Sequence, residues 1–350
     1  MQKKIFLIIL VSAMVLAGIC PEKATAQQQK VKDFYKGKVL QFICPYGPGG
    51  GFDAWIRGLA LPLQKRTGAR VLVKNMPGGS GLMASSFLFN VAKPNGLTIA
   101  LLAAPGMTLG EMLEYETIKL AKYKLQEFTA ICRIEHQIRG LIAGKPSGFR
   151  SLMDMKNSTD PVRFAFTDPT SDAAAEAALV AEAFEFKAKM ISGWKSSGEY
   201  WLAIIAGRGA DASFVAIRRM KGYMEKGDLV PIAVSSRERM PDFPQVPTLL
   251  ESPGLNPKKR KYAELAMMMH EPGRAILAPP GVPAERAAFL EKAIFACLKD
   301  PSIVNWAQKR GFSIDPLPGK ELRQVISETM KMVPDADREK IKDIIMKKYY

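Results

Sequence analysis

Val39-Leu40-Gln41-Phe42-Ile43-Cys44-Pro45-Tyr46-Gly47-Pro48-Gly49-Gly50-Gly51-Phe52-Asp53-Ala54-Trp55-Ile56-Arg57 reads as an apolar strand, a glycine-rich turn and the start of a helix. Glycines at 49, 50 and 51 leave backbone N–H groups with no Cβ to shield them. Asp53 stands where a helix N-cap would, with Arg57 one turn later. Free N–H groups at the positive end of a helix dipole make a site for an anion, a phosphate or a carboxylate. As an N-cap, Asp53 would serve the helix alone, since Asp is favoured there in any protein.

The pattern repeats downstream. Arg70-Val71-Leu72-Val73 is a β-branched run, Asn75-Met76-Pro77-Gly78-Gly79-Ser80-Gly81 a second glycine turn, and Leu82–Ala92 has helical periodicity. Pro94-Asn95-Gly96 breaks the chain before the strand Leu97–Leu102. Strands alternating with helices at this spacing predict βαβ units and parallel pairing, with ligands beyond the carboxyl ends of the strands. A second series begins near Gly140, with strands at Leu141–Ala143, Val162–Phe166, Lys189–Ile191, Ala212–Ile217 and Leu229–Val234, and a helix at Asp172–Phe186. Pro241–Lys261, rich in Pro, Lys and Arg, reads as an exposed connection. Leu265–Met269 and Ala275–Leu277 read as strands, followed by amphipathic helices to Tyr350.

At the amino terminus, Lys3 and Lys4 precede an apolar run from Ile5 to Ile19, and Ala24-Thr25-Ala26 offers a small-x-small cleavage site. This reads as a signal peptide over residues 1–26, too short and wrongly flanked for a membrane span. Lipoprotein processing before Cys20 is the alternative, disfavoured by Ile19 where a small residue belongs. Removing residues 1–26 lowers the formal charge from +16 to +14 on 324 residues, enough chain for about two domains. The basic residues are scattered, and the run Lys258-Lys259-Arg260-Lys261 has no nucleic-acid motif beside it, so the charge suits small anions rather than a nucleic acid. Cys44, Cys132 and Cys297 remain, an odd number without CxxC spacing. One pair could bridge, but no disulfide framework is possible. His136 and His270 lack metal-ligand partners at helical spacing, and no zinc or other metal is expected.

Gly49-Gly50-Gly51-Phe52-Asp53-Ala54 matches G-x-G-x-x-A, but the acid that a dinucleotide fold places on the ribose is replaced by Lys74 and Asn75. No mononucleotide loop is present. Gly78-Gly79-Ser80-Gly81-Leu82 fails a nucleophile elbow at its last position, and no histidine stands in a triad context. The chain is therefore not expected to be an enzyme or to carry a cofactor.

Several motifs in order resemble a known family. Pro45–Asp53 with Arg57 is similar to the P-F-x-P-G-G-x-x-D…A-R signature of the periplasmic substrate-binding proteins of tripartite tricarboxylate transporters, the Bug family. Asn75–Gly81 is similar to N-x-P-G-A-G-G, Lys93–Thr98 to A-x-P-D-G-Y-T, Arg237 with Pro241–Thr248 to R-x-x-x-L-P-D-V-P-T, and Ala278–Pro283 to A-P-A-G-T-P. The match runs from about residue 31 to about residue 335. It implies an α/β, two-lobed periplasmic-binding-protein-like fold. Each lobe would be a mainly parallel sheet flanked by helices, lobe 1 from 31–137 plus 262–350 and lobe 2 from 138–261. A hinge near 136–140 and 260–266 would close on one organic acid. The partners it implies are that acid and the membrane transporter subunits, with the chain a periplasmic monomer.

In the family the carboxylate is held mainly by backbone N–H groups and water from the two glycine loops. The resemblance places ligand contacts at Tyr46, Pro48, Gly49, Gly50, Gly51, Phe52, Asp53, Gly78, Gly79, Ser80 and Gly81. From the second lobe it adds Thr167, Asp168, Thr170, Trp194 and Asp211. There are departures. Phe52 replaces a Thr or Ser. The third loop, usually Y-x-S-x-G-x-G, is Phe164-Ala165-Phe166-Thr167-Asp168-Pro169-Thr170-Ser171-Asp172, with Asp172 expected as the next helix's N-cap. V-P-Y-K-G becomes Ile191-Ser192-Gly193-Trp194-Lys195. Aromatic surface from Phe52, Trp194 and Phe166, with the charge of Asp168, favours a monocarboxylate with an apolar or aromatic body over a small tricarboxylate. The alternative is that all three aromatics pack in the cores. A sensory binding protein for a membrane kinase and an extracytoplasmic hydrolase are the rival functions.

Overall fold

The computed structural model describes residues 21–350 except Lys195, and of residues 21–26 and Gln28 it describes only the backbone. The apolar run of the signal peptide, Cys20 and Lys195 of the Trp194 segment lie outside the described residues. After helix α1 (Pro21–Tyr35) the chain runs β1 (Val39–Cys44), α2 (Gly51–Thr67), β2 (Arg70–Asn75), α3 (Leu82–Asn90), β3 (Thr98–Ala103), α4 (Ala104–Met112), α5 (Glu116–Ala121) and β4 (Thr129–Glu135). It then crosses to β5 (Arg139–Gly144), α6 (Leu152–Asn157), β6 (Val162–Ala165), α7 (Asp172–Phe184), β7 (Ala188–Ile191), α8 (Ser197–Ile205), β8 (Ala212–Ala216), α9 (Lys221–Glu225) and β9 (Leu229–Ser235). The last stretch is α10 (Arg260–Met268), β10 (Arg274–Ala278), α11 (Ala284–Leu298), α12 (Pro301–Lys309), β11 (Leu317–Pro318), α13 (Gly319–Met330) and α14 (Asp335–Met346).

Two sheets result, ordered β11-β4-β10-β3-β1-β2 and β7-β6-β8-β5-β9, each flanked by helices. The βαβ units pair in parallel, β1 with β2 and β3, and β6 with β7 and β8. Strands that enter from the other sheet pair antiparallel: β10 with β3 and β4, and β5 with β8 and β9. These strands follow a passage between sheets rather than a local crossover helix, so no βαβ unit dictates their direction.

Helix α2 buries Trp55, Ile56, Leu59 and Leu63 in one core with Leu290, Ile294 and Cys297 of α11. It ends at Gly68 (φ 75°), whose N–H closes on the Gln64 carbonyl, a left-handed stop that glycine adopts without strain. Helix α7 is alanine-rich and buried on nearly every side, because α10 and α14 cover the face that the second sheet leaves free.

Two expectations change here. Leu265–Met269 is not a strand. A five-residue apolar run suits a buried helix as well as a strand, and α10 buries Tyr262, Ala263, Leu265, Ala266 and Met267, packing on α7. The return passage to the first sheet therefore lies at residues 269–273, beyond the expected 260–266. A third passage at 331–334 carries the chain from α13, packed on β4, to α14, packed on α7. Residues 262–268 and 335–346 thus belong with the second sheet's core rather than with the first.

Candidate ligand-binding site

A cavity of about 340 Å³ opens where the carboxyl ends of β1 and β3 face the amino end of α7. One wall is the second glycine turn. Gly78, Gly79, Ser80 and Gly81 have φ values of 143°, 54°, 52° and 97°, four successive residues in conformations that L side chains resist. Gly79 and Ser80 open a short 3₁₀ turn, so their N–H groups have no acceptor inside it. Successive N–H groups displayed this way form a nest for an anion. The Tyr46 hydroxyl donates to the Ser80 carbonyl at 3.4 Å and holds the turn against β1.

The first glycine turn plays another part. Only its flanks, Pro45, Tyr46 and Phe52, reach the cavity. Helix α2 starts at Gly51 with Gly50 as its N-cap, so Asp53 is a first-turn residue and not the cap. Its carboxylate accepts the Gly49 N–H at 2.9 Å, Arg57 Nε at 2.9 and 3.0 Å and Asn75 Nδ2 at 2.9 Å. Burial opposes its charge, but these donors outweigh burial and hold its pKa at about 2. Asp53 therefore ties the first turn to β2 and is not open to a ligand. A Cβ at Gly51 would lie 2.9 Å from an Nη atom of Arg274, so a larger residue there would displace the guanidinium.

Arg274, the first residue of β10, is a cavity residue that the sequence reading missed. It pairs with Glu135, which also accepts Trp55 Nε1 at 2.8 Å and the Ser313 N–H at 3.1 Å. Its guanidinium lies 4.6 Å from the Phe52 ring centroid, and its Nε–H is buried without an acceptor among the described residues. Phe52, one of the departures from the family pattern, is thus a platform for Arg274.

The opposite wall carries a second buried ionic group. Arg139 donates to Glu176 at 2.8 Å, to the Phe214 carbonyl at 2.6 Å and to Asp172 at 3.4 Å. Ser235 donates to the other oxygen of Glu176, and His270 Nε2 lies 3.1 Å from Glu176. Burial opposes the charge of Asp172. Arg139, His270, the Ala173 N–H and Arg274 outweigh it and hold the carboxyl below its usual range. Asp172 is not the N-cap of α7 as expected; Ser171 is, accepting the Ala174 N–H.

Of the expected residues, Tyr46, Phe52, Gly79, Ser80, Gly81, Thr167 and Thr170 line the cavity. Pro48, Gly49, Gly50, Gly51, Asp53, Gly78, Asp168, Trp194 and Asp211 do not. Asp168 turns back to accept the N–H and hydroxyl of Thr170. Asp211 pairs with Arg163 at 2.6 Å. Trp194 packs on the core that holds Tyr200 and Ile204, Phe166 is 1 % exposed in the second core, and neither lines the cavity. Arg139, His270 and Arg274 were the missed cavity residues, and Glu176, fully buried beside Arg139 and His270, was missed as their partner. Glu176 is a lone carboxylate in the run Ala173-Ala174-Ala175-Glu176-Ala177-Ala178, and it needs a cation only because packing buries the whole helix. Among the described residues no cluster of His, Cys, Asp or Glu is placed to hold a metal ion, and no helix is long and apolar enough to cross a membrane.

The sequence profile described as tripartite tricarboxylate transporter family receptor, TctC, matches residues 55–343. A UPF0065 protein of Bordetella bronchiseptica is 26% identical over 308 residues, 85% of this chain and 82% of its own. Protein BugT of Bordetella pertussis is 25% identical over 285 residues, 78% and 80% of the two chains. Among solved structures, Rpa4515 of Rhodopseudomonas palustris, determined with adipate, superposes with a TM-score of 0.68 at 18% identity, covering 88% of this chain and 97% of that one. MatC of the same organism, determined with malate, gives 0.64 at 19% identity, covering 88% and 99%. The chain belongs to the TctC receptor family, the solute-binding proteins of tripartite tricarboxylate transporters.

Proposed function

We propose that this receptor captures a small organic acid between its two sheets, carboxylate first, and delivers it to the membrane subunits of its transporter. The observation that carries this reading is the run of left-handed residues at 78–81, which leaves N–H groups open in the cavity wall. Carboxylate capture in a backbone nest needs no free cation. Both cavity arginines are already matched by carboxylates, Arg139 by Glu176 and Arg274 by Glu135. The malate and adipate complexes of two structural relatives support a carboxylate. The chain works in the periplasm after losing residues 1–26, as a monomer with a lobe on each sheet. It catalyses no reaction and binds no nucleic acid.

Native mass spectrometry of protein purified without denaturation tests this, with a retained organic acid as the expected result. Gly79→Val then tests the nest. A β-branched side chain at φ 54°, with its Cβ 3.1 Å from that of Leu82, covers the N–H groups and strains the turn. Calorimetric affinity for the retained acid falls at least a hundredfold, and the melting temperature falls by a few degrees. Unchanged affinity overturns the placement.

A further inference from the structure

Ser85, Met107, Tyr115, Ile118 and Tyr123 also line the cavity, and the part that they bound is termed the side chamber. None of these five side chains is charged. Tyr115 is 6 % exposed, and its hydroxyl is buried with no hydrogen-bond partner among the described residues. Buried donors are nearly always satisfied, so a lone one in a cavity wall marks a place for a partner. The Tyr115 backbone is held in place, because its N–H closes on the Gly110 carbonyl at 2.9 Å and the residue precedes the first turn of α5. A Cβ added to Gly106, another lining residue, would meet nothing within 4 Å, so the chamber has unfilled space beside α4.

We infer that the ligand is a monocarboxylate whose apolar body runs from the glycine turn into this chamber, where an uncharged hydrogen-bond acceptor at its far end receives the Tyr115 hydroxyl. This rests on the carboxylate reading above and adds the nature of the other end. Burial holds the phenol in its protonated, donating form. A second carboxylate would enter the chamber with no cation to meet it, and Glu111 lies close enough to Tyr123 to oppose negative charge there. A cavity of about 340 Å³ is at the small end of ligand pockets, which suits a small acid with a short apolar body.

Isothermal titration of residues 27–350 with hexanoate, 5-oxohexanoate and adipate tests the inference, because the three share a six-carbon chain and differ only near the far end. In the wild type, 5-oxohexanoate binds roughly tenfold tighter than hexanoate, about what one neutral hydrogen bond supplies, and adipate binds more weakly than either. Tyr115→Phe removes the advantage of 5-oxohexanoate, leaves hexanoate within about twofold and does not lower the melting temperature of the unliganded protein. Gly106→Leu fills the chamber and weakens hexanoate and 5-oxohexanoate alike. Adipate binding tightest, or Tyr115→Phe affecting hexanoate and 5-oxohexanoate equally, overturns the inference and leaves the carboxylate reading standing. If none of the three binds while shorter acids do, the chamber is not used and the inference falls alone. If no carboxylate binds at all, both fall.

Discussion

Asp53 spends its charge inside the protein. Four hydrogen bonds from Gly49, Arg57 and Asn75 fix the first glycine turn to β2, and the residue is 3 % exposed. Its pKa is lowered from 3.8 to about 2, so its contribution is present above pH 4 and is lost as the pH falls through 2. That shift corresponds to about 2 kcal/mol. Asp53→Asn keeps one acceptor but loses the charge. Urea denaturation at pH 7 should show a loss of about 1–3 kcal/mol, and the decline of stability between pH 4 and 2 should flatten. A variant as stable as the wild type would mean that the turn is held by other contacts. The sequence placed an acid at a turn but could not say which way it faced, because an N-cap, a ligand contact and a brace all ask for the same residue type. Arg274 shows the converse. A basic residue ahead of Ala275-Ile276-Leu277 looks like a solvated strand end until β4 brings Glu135 alongside it, and that pairing spans 139 residues of chain.

At the scale of elements, α7 concentrates the risk. A helix of alanines can approach a sheet closely, yet Glu176 sits in its middle with no exposed surface. The Arg139 guanidinium, the Ser235 hydroxyl and His270 surround it. Removing one partner of a buried pair leaves the other charged and unpaired. Glu176→Ala should therefore cost about 3–5 kcal/mol, read as a lower urea midpoint, whereas Asp242→Ala, on an exposed ion pair with Arg218, should cost under about 1 kcal/mol. Equal effects would remove the case for a buried ionic core. Most strands were legible within a residue or two, because β-branched and apolar runs between glycine turns have few other readings. Thr129–Glu135 escaped notice, since Cys132, Arg133 and Glu135 interrupt its apolar pattern, and those charges are buried only by contacts from distant chain. The motif order carried the family, while the partners of the cavity arginines depended on packing that no local pattern encodes.

At the scale of the molecule, three chain passages join the two sheets, at 136–138, 269–273 and 331–334. Leu109, Met112 and Tyr115 of the α4–α5 region share a core with α7, α10 and α14, so the two halves are packed together along one side. Closure on a ligand should therefore be a small rotation about that side. Small-angle scattering at saturating ligand should show a radius of gyration lower by about 1 Å or less than that of the unliganded protein. A change of several ångströms would mean that the shared core separates, and an identical profile would mean a permanently closed cleft.

The three thiols of residues 27–350 all lie in strands or helices of the first sheet's core, Cys44, Cys132 and Cys297 alike. Burial raises the pKa of each, that of Cys297 to about 11. A maleimide attacks thiolates, so the folded receptor is chemically silent toward it at neutral pH. One cysteine introduced at exposed Thr167, on the cavity rim, would thus be the single labelling point for an environment-sensitive fluorophore. The receptor could then serve as a reagentless optical sensor for its own solute with no native cysteine removed.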